Sequence, residues 1–253
     1  MRSALATLAL TAVTAAQASP NYYNTVNATS AATLRSTLHA VIDDHTRFPY
    51  TSGGTDTWNI LEVADQDPSN SSRILDIYRN ASFAKAGGGN SNYNREHAWP
   101  NSYGFPTDSG TNYPYTDCHH LFLCDDNYNQ ARNRRPFDNG NGGWNEYSTS
   151  SNGGAGGGSG SFPGNSNWQT TSSSLGGWQV WNDRKGDIAR ALFYMDVRYE
   201  GGTNGSNGAA EPDLRLTDNT TLISQSATGN NLSIAYMGKL SVLVQWHQQD
   251  PVD

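Results

Sequence analysis

The sequence predicts an α+β domain, on three observations. Two apolar runs of helical period lie in the C-terminal third. Short strand-like segments flank a Glu-His pair near the middle. No internal repeat occurs, and the elements read as mostly helices around a few short strands, a mostly helical single domain with long Gly/Ser-rich loops. Residues 1–18, MRSALATLALTAVTAAQA, are set apart from that domain. One early cation, Arg2, precedes an apolar stretch that closes on Ala16-Gln17-Ala18, the pattern of a secretory signal peptide. The domain proper is expected to span 19–253, and no later run is long and apolar enough to cross a membrane.

The elements follow in order. Thr29 or Ser30 can cap a helix running to about Asp44, with Leu34, Leu38, Val41 and Ile42 on one face. A second helix fits Thr57 to Ala64, and Arg73 to Tyr78 reads as a strand. Arg95 to His97 reads as another, ended by Ala98-Trp99-Pro100 because proline cannot continue a ladder. Thr116 to Leu121 reads as its partner. Asp125 or Asp126 can cap a short helix from Asn127 to about Arg134. Residues 139–177 are so rich in Gly and Ser that they predict a long flexible insertion. The run KGDIARALFYMDVRY places Ile188, Ala191, Leu192, Met195 and Val197 at near-helical spacing, so a buried amphipathic helix starts at Lys185. Gly238 to His247 predicts a last helix.

Formal charge sets a limit on partners. The whole chain carries −7, and removal of 1–18, with one Arg and no acid, makes it −8. That disfavours a general polyanion-binding surface but not a small basic site on an acidic body. Six Asn-x-Ser/Thr sequons, at Asn27, Asn70, Asn80, Asn204, Asn219 and Asn231, are glycosylation candidates in an exported chain. Cys118 and Cys124 can pair in an oxidising compartment. On one continuous strand their Cα atoms would sit roughly 20 Å apart, against the ~4.4–6.8 Å of a disulfide, so a bond requires a turn between them. A zinc site from Cys118, His119, His120 and Cys124 is disfavoured, because adjacent ligands rarely converge on one tetrahedral ion.

The residue types around the Glu-His pair suit phosphodiester hydrolysis. That reaction needs a base for the attacking water, and polarisation of a phosphoryl oxygen with relief of charge on the leaving oxygen. A neutral imidazole does the first, and one hard cation held by oxygen ligands does the others. Asn129 and Arg132 lie three apart on the short helix and share a face. Asn129 can offer a carbonyl oxygen to the cation while Arg132 holds a phosphate oxygen. Glu96 and His97 are strand neighbours and face opposite ways, so both serve one site only if the strand ends there.

The motifs NREHAWPNS and TDCHHL…YNQARNRRPF resemble the endonuclease I family, secreted or periplasmic non-specific nucleases built on a ββα-metal (His-Me) finger. KGDIARALFYMDVRY and LSVLVQWHQQDPVD resemble the segments that follow it, so the likeness runs from about Ala31 to Asp253. The resemblance implies His97 as general base, with Glu96 and Asn129 as ligands of one Mg²⁺ that Mn²⁺ or Ca²⁺ can replace. It implies Arg132 as the phosphate contact, with Arg95, Arg134 and Arg135 as further substrate contacts. His119 and His120 would brace the finger. It also implies a monomer that cuts DNA, RNA or both to 5′-phosphate and 3′-hydroxyl ends. Family members are often basic and continue past the DPVD segment with more basic residues, whereas this chain is acidic and stops at Asp253. Weaker attraction to nucleic acid, or a salt-rich setting, would follow from the charge. Two rivals stand beside the non-specific nuclease: a secreted ribonuclease, and an inactive binding protein on a degenerate finger. Against the second, Glu96, His97 and Asn129 are all present.

Overall fold

The computed structural model describes residues 19–171, 175–227 and 233–252, so the expected signal peptide and the sequon at Asn231 lie outside the described residues. Two compact units divide at Ile42/Asp43. The N-terminal unit holds α1 (Ala31–Ile42), where Ser30 Oγ accepts from Thr33 N at 3.1 Å and satisfies one of the helix's orphan donors.

The second unit opens with α2 (Thr57–Ala64). Its Asp56 cap accepts from the Trp58 and Asn59 amides while the Asn59 side chain accepts from the Asp56 amide, a reciprocal capping box. β1 (Arg73–Leu75) pairs antiparallel with β2 (Ser82–Ala84). The strand is shorter than the Arg73–Tyr78 expected because Asp76 begins a turn closed by Asn80 N to Asp76 O at 3.2 Å.

At the centre, β3 (Tyr93–His97) pairs antiparallel with β4 (Leu121–Asp125), and α3 (Asp126–Arg132) follows directly. The second strand therefore lies one segment later than Thr116–Leu121. Asp117 is the reason: its Oδ1 accepts from His119 N at 3.0 Å and folds 117–120 into a turn. Asp125 caps α3 by accepting from Asn127 N at 2.9 Å, and the helix ends before Asn133, whose φ of 53° breaks the helical path.

The two-stranded ribbon has two differently packed faces. Tyr93, Leu121 and Leu123 join Trp58, Leu61 and Ile74 in a small core under α2. Cys124 and Phe122 face the main core. The outer edge of β4 is closed by two buried carboxylates: Asp65 accepts from Leu123 N at 2.6 Å, and Asp76 accepts from Asp125 N. Burial pushes both acids up to about 7.

Residues 139–177, expected from composition to be a flexible insertion, carry several short strands. Apart from 172–174, which lie outside the described residues, they form β5 (Asn145–Tyr147), a small hairpin of β6 (Ser151–Asn152) and β7 (Ala155–Gly156), and β8 (Asn167–Gln169). β8 pairs with β5 on one side and with β9 (Trp178–Gln179) on the other. The glycines serve close packing: a Cβ on Gly156, at φ 71°, would strike Ser150 O, and one on Gly158 would strike Asn165 O. Asn80 donates into this segment, to Ser150 O at 3.1 Å and Ala155 O at 3.2 Å. Asn80 and Asn204 are buried, which removes those two sequons as glycosylation sites. Trp58, Trp99 and Trp168 are buried as well.

α4 (Lys185–Arg198) starts where the sequence predicts and packs on α6 (Leu240–Gln249). β10 (Asp213–Leu216) and β11 (Ile234–Met237) pair in parallel, with α5 (Thr220–Ser226) between them in the chain. Among the described residues, no helix is long and apolar enough to cross a membrane.

Of the two states that the sequence leaves open for Cys118 and Cys124, the structure has both free. Cys118 packs against the small core from the turn before β4, whereas Cys124 points from β4 into the main core, so the sheet separates the two sulfurs. Burial raises the Cys118 thiol to about 12 and pushes the Cys124 thiol well above its ordinary value. Unfolded protein should therefore titrate two thiols per chain without reductant. A thiolate-seeking reagent at pH 8 should react only slowly with the native form. Fewer than two thiols after unfolding would establish a bond.

Candidate active site

A cleft of about 330 Å³ opens at the end of β3 and is lined by Glu96, His97, Asn101, Asn129, Asn133 and Arg134, among others. A cavity of similar size, about 350 Å³, sits against Gly104, Thr107 and Glu211. Its one ionisable group is committed, since Glu211 is held by Arg198 at 2.8 and 3.0 Å. The chemistry therefore belongs to the cleft.

The strand-end condition is met. β3 stops at His97, and the last backbone link to the neighbouring chain is Ala98 N to His120 O at 3.0 Å. Glu96 does point to the opposite face from His97, but both border the cleft because it lies at the strand's terminus.

His97 is fixed on several sides. Its Nε2 is 2.9 Å from Tyr115 O, which makes Nε2 the protonated nitrogen and leaves the lone pair on Nδ1. Tyr50 stacks on the imidazole at 5.7 Å, Tyr115 meets it edge-on at 4.9 Å, and the His120 ring lies 5.5 Å away. Desolvation, helped by His120, lowers His97 to about 3, so the ring is neutral at physiological pH. His120 is buried, with Nε2 2.7 Å from Pro114 O, and burial lowers it to about 4.

Glu96 is buried, and one of its oxygens is spent. Oε1 accepts from Tyr78 OH at 2.8 Å and from Arg132 at 2.9 Å, whereas Oε2 accepts no hydrogen bond among the described residues. Burial raises the acid to about 6 against the opposing pull of Arg132 and Tyr78. Asn129 donates its amide nitrogen to Arg95 O at 3.2 Å, and among the described residues no donor reaches its Oδ1. A carboxylate oxygen and an amide oxygen bordering one cleft suit a hard divalent cation that keeps several of its waters. Among the described residues, no group of three or more His, Cys, Asp or Glu side chains is placed to hold a metal.

Two arginines differ from expectation. Arg132 was expected to hold a phosphate but is fully buried. It donates to Glu96 Oε1, to His97 O at 2.8 Å and to Ala98 O at 2.6 Å, and lies over the Phe137 ring. It braces the site from behind. Arg95, expected to touch substrate, does line the cleft, but its guanidinium is clamped between the Tyr50 ring at 3.4 Å and the Trp58 ring at 4.2 Å. Its donors go to Tyr50 O, Thr57 Oγ1 and Thr51 Oγ1. Residues two apart on a strand share a face, so Tyr50 is positioned by Arg95 and in turn packs on His97. Arg134 does border the cleft, while Arg135 donates to Ala131 O at 2.6 Å near the end of α3. Sequence reasoning missed Tyr78, Tyr50 and Tyr115, which support the site through a hydroxyl, a ring and a carbonyl. Nothing in their local sequence marks them.

The model of the family described as Endonuclease I matches residues 30–253. The chain belongs to the endonuclease I family. This family member is 39% identical over 235 residues to two proteins named extracellular ribonuclease, from Bacillus amyloliquefaciens and Bacillus subtilis (strain 168). The matched region covers 92% of this chain and 66% and 67% of theirs, so the chain spans about two thirds of their length. No solved structure matches it.

Two outcomes follow for this family member. Arg132→Met should cost about 3–5 kcal/mol in a denaturant titration, because it leaves the Glu96 carboxylate buried without its partner. Stability near wild type with activity abolished would return Arg132 to the role of phosphate contact. The imidazoles should separate by NMR in metal-free protein. Asp117 raises His119 above its ordinary value, so as pH falls from 8 to 5 His119 takes a proton early, while His97 and His120 stay neutral. A His97 that titrates near 6.5 would contradict the burial that this geometry imposes.

Proposed function

We propose that this chain is an exported, metal-dependent ribonuclease that hydrolyses phosphodiester bonds with His97 as general base. The observation that carries the reading is one cleft bordered by a neutral, ring-fixed imidazole and by two oxygen donors not spent on protein partners. The names of the two relatives favour RNA and an extracellular setting.

Glu96 Oε2 and Asn129 Oδ1 would hold one Mg²⁺, with Mn²⁺ or Ca²⁺ as substitutes. A bound divalent cation supplies polarisation of the phosphoryl oxygen and relief of charge on the leaving oxygen. His97 Nδ1 takes a proton from the attacking water, and the bond to Tyr115 O steadies the imidazolium that forms. Arg132 keeps Glu96 ionised by its charge, and Arg134 at the rim offers a cation to the phosphate chain. Attack by water rather than the ribose 2′-hydroxyl leaves no 2′,3′-cyclic phosphate, and with O3′ as the leaving oxygen the ends would be 5′-phosphate and 3′-hydroxyl. The chemistry itself does not distinguish RNA from DNA, so a preference for RNA would come from contacts along the bound strand.

The test incubates the protein with structured RNA and with plasmid DNA, each with Mg²⁺ and with EDTA. Cutting should require Mg²⁺, favour RNA, and fall ~10²–10⁴-fold in His97→Ala with melting unchanged. Glu96→Gln and Asn129→Ala should need more Mg²⁺ for half-maximal rate. Unimpaired cutting by His97→Ala, or RNA products ending in 2′,3′-cyclic phosphate, would overturn the mechanism.

A further inference from the structure

The turn that precedes β4 holds an arrangement that the hydrolytic site does not use. Asp117, 2% exposed, gathers four donors. Its Oδ1 takes the His119 amide at 3.0 Å and lies 2.8 Å from His119 Nδ1. Its Oδ2 takes Tyr194 OH at 2.9 Å and Tyr199 OH at 2.7 Å. The His119 side chain is nevertheless 63% exposed. Its ring lies flat on the half-buried Tyr194 ring, 4.4 Å between centroids and 25° between planes. One edge and one face of this imidazole are thus fixed by the protein, and the other face meets solvent.

Support of the turn accounts for Asp117, for Tyr199 and for the His119 amide. It does not require the His119 ring to be held rigid on an aromatic partner while its opposite face stays open. A long exposed side chain normally keeps its rotamer freedom. An aromatic ring already held in place loses little further freedom on binding, which is the property of a stacking platform. In the chain His119 directly precedes His120, whose ring is 5.5 Å from that of His97. Single-stranded RNA is recognised largely through splayed bases stacked on aromatic side chains, histidine among them.

We propose that the exposed face of His119 is a stacking subsite for an unpaired nucleobase of the RNA strand, outside the hydrolytic cleft. The proposal rests on the nuclease reading above and deepens it. Tyr194 extends the stack from below, and Asp117 holds the imidazole edge, so both are positioning residues for the platform.

Binding of a fluorescein-labelled single-stranded oligoribonucleotide, measured in the His97→Ala background with Mg²⁺, separates the contributions. Adding His119→Ala should weaken binding by about tenfold or more, the usual effect of losing one base-stacking ring. His119→Phe should restore affinity to within about twofold, and His119→Lys should not. Phe loses the bond to Asp117 just as Ala does, so rescue by Phe cannot come from support of the turn. A blunt-ended, fully paired RNA duplex of two separate strands, with no unpaired base to stack, should bind all four proteins alike. Equal binding by the Ala variant overturns the proposal, and so does rescue by Lys without rescue by Phe, which would mark a phosphate contact. Failure of the His97→Ala parent to bind RNA removes the nuclease reading and the subsite together. Cutting by the wild-type protein beside an unaffected Ala variant removes the subsite alone.

Discussion

The fully buried guanidinium of Arg132 constrains the centre of this protein more than any other group. A charge taken out of water is tolerated only when it is paired and hydrogen-bonded. Arg132 meets that demand with one carboxylate and two backbone carbonyls, all within residues 96–98. The end of β3 is therefore fixed to the last turn of α3, and the cleft opens where those two elements are tied. The same contact leaves Glu96 with one oxygen engaged and one not, so a single ion pair sets both the fold of the ββα unit and the ligand capacity of its acid.

The opposite face of β3 solves a different problem. On that face the His97 imidazole is neutral, oriented and enclosed on most sides. Here orientation comes from a carbonyl acceptor and from aromatic rings around it, one of which is itself held against a guanidinium by cation–π contact. The strand's alternation thus sorts two kinds of support. Charged and hydroxyl partners hold Glu96 on one side, and aromatic partners hold His97 on the other.

Much of this arrangement could be read from the sequence. Capping residues and apolar period located α2, α3 and α4, and Pro100 placed the end of β3, because each of these signals acts within a few residues. The identities of Glu96, His97 and Asn129 as the polar groups of one cleft were legible from residue type and spacing. The environment of each was not. Arg95 and Arg132 look like substrate contacts in sequence because arginine is usually exposed, and only the tertiary structure shows both taken into the interior by rings and carbonyls. The cysteines look pairable until the sheet is seen to run between them. Tyr78 acts on Glu96 from another strand-turn unit, a contact that leaves no trace in local pattern.

The glycine-rich segment shows the largest gap between composition and role, and the gap has a practical side. Asn167, on β8, donates to Tyr78 O at 2.7 Å, and Tyr78 in turn holds Glu96; Gln169 donates to Ala131 O near the end of α3. Anyone trimming the chain to a minimal catalyst would choose 139–177 as the dispensable part. Its removal would unseat the acid from two directions at once, and uncover Trp178 as well. What reads as filler is a splint, and a shortened enzyme would have to be cut elsewhere.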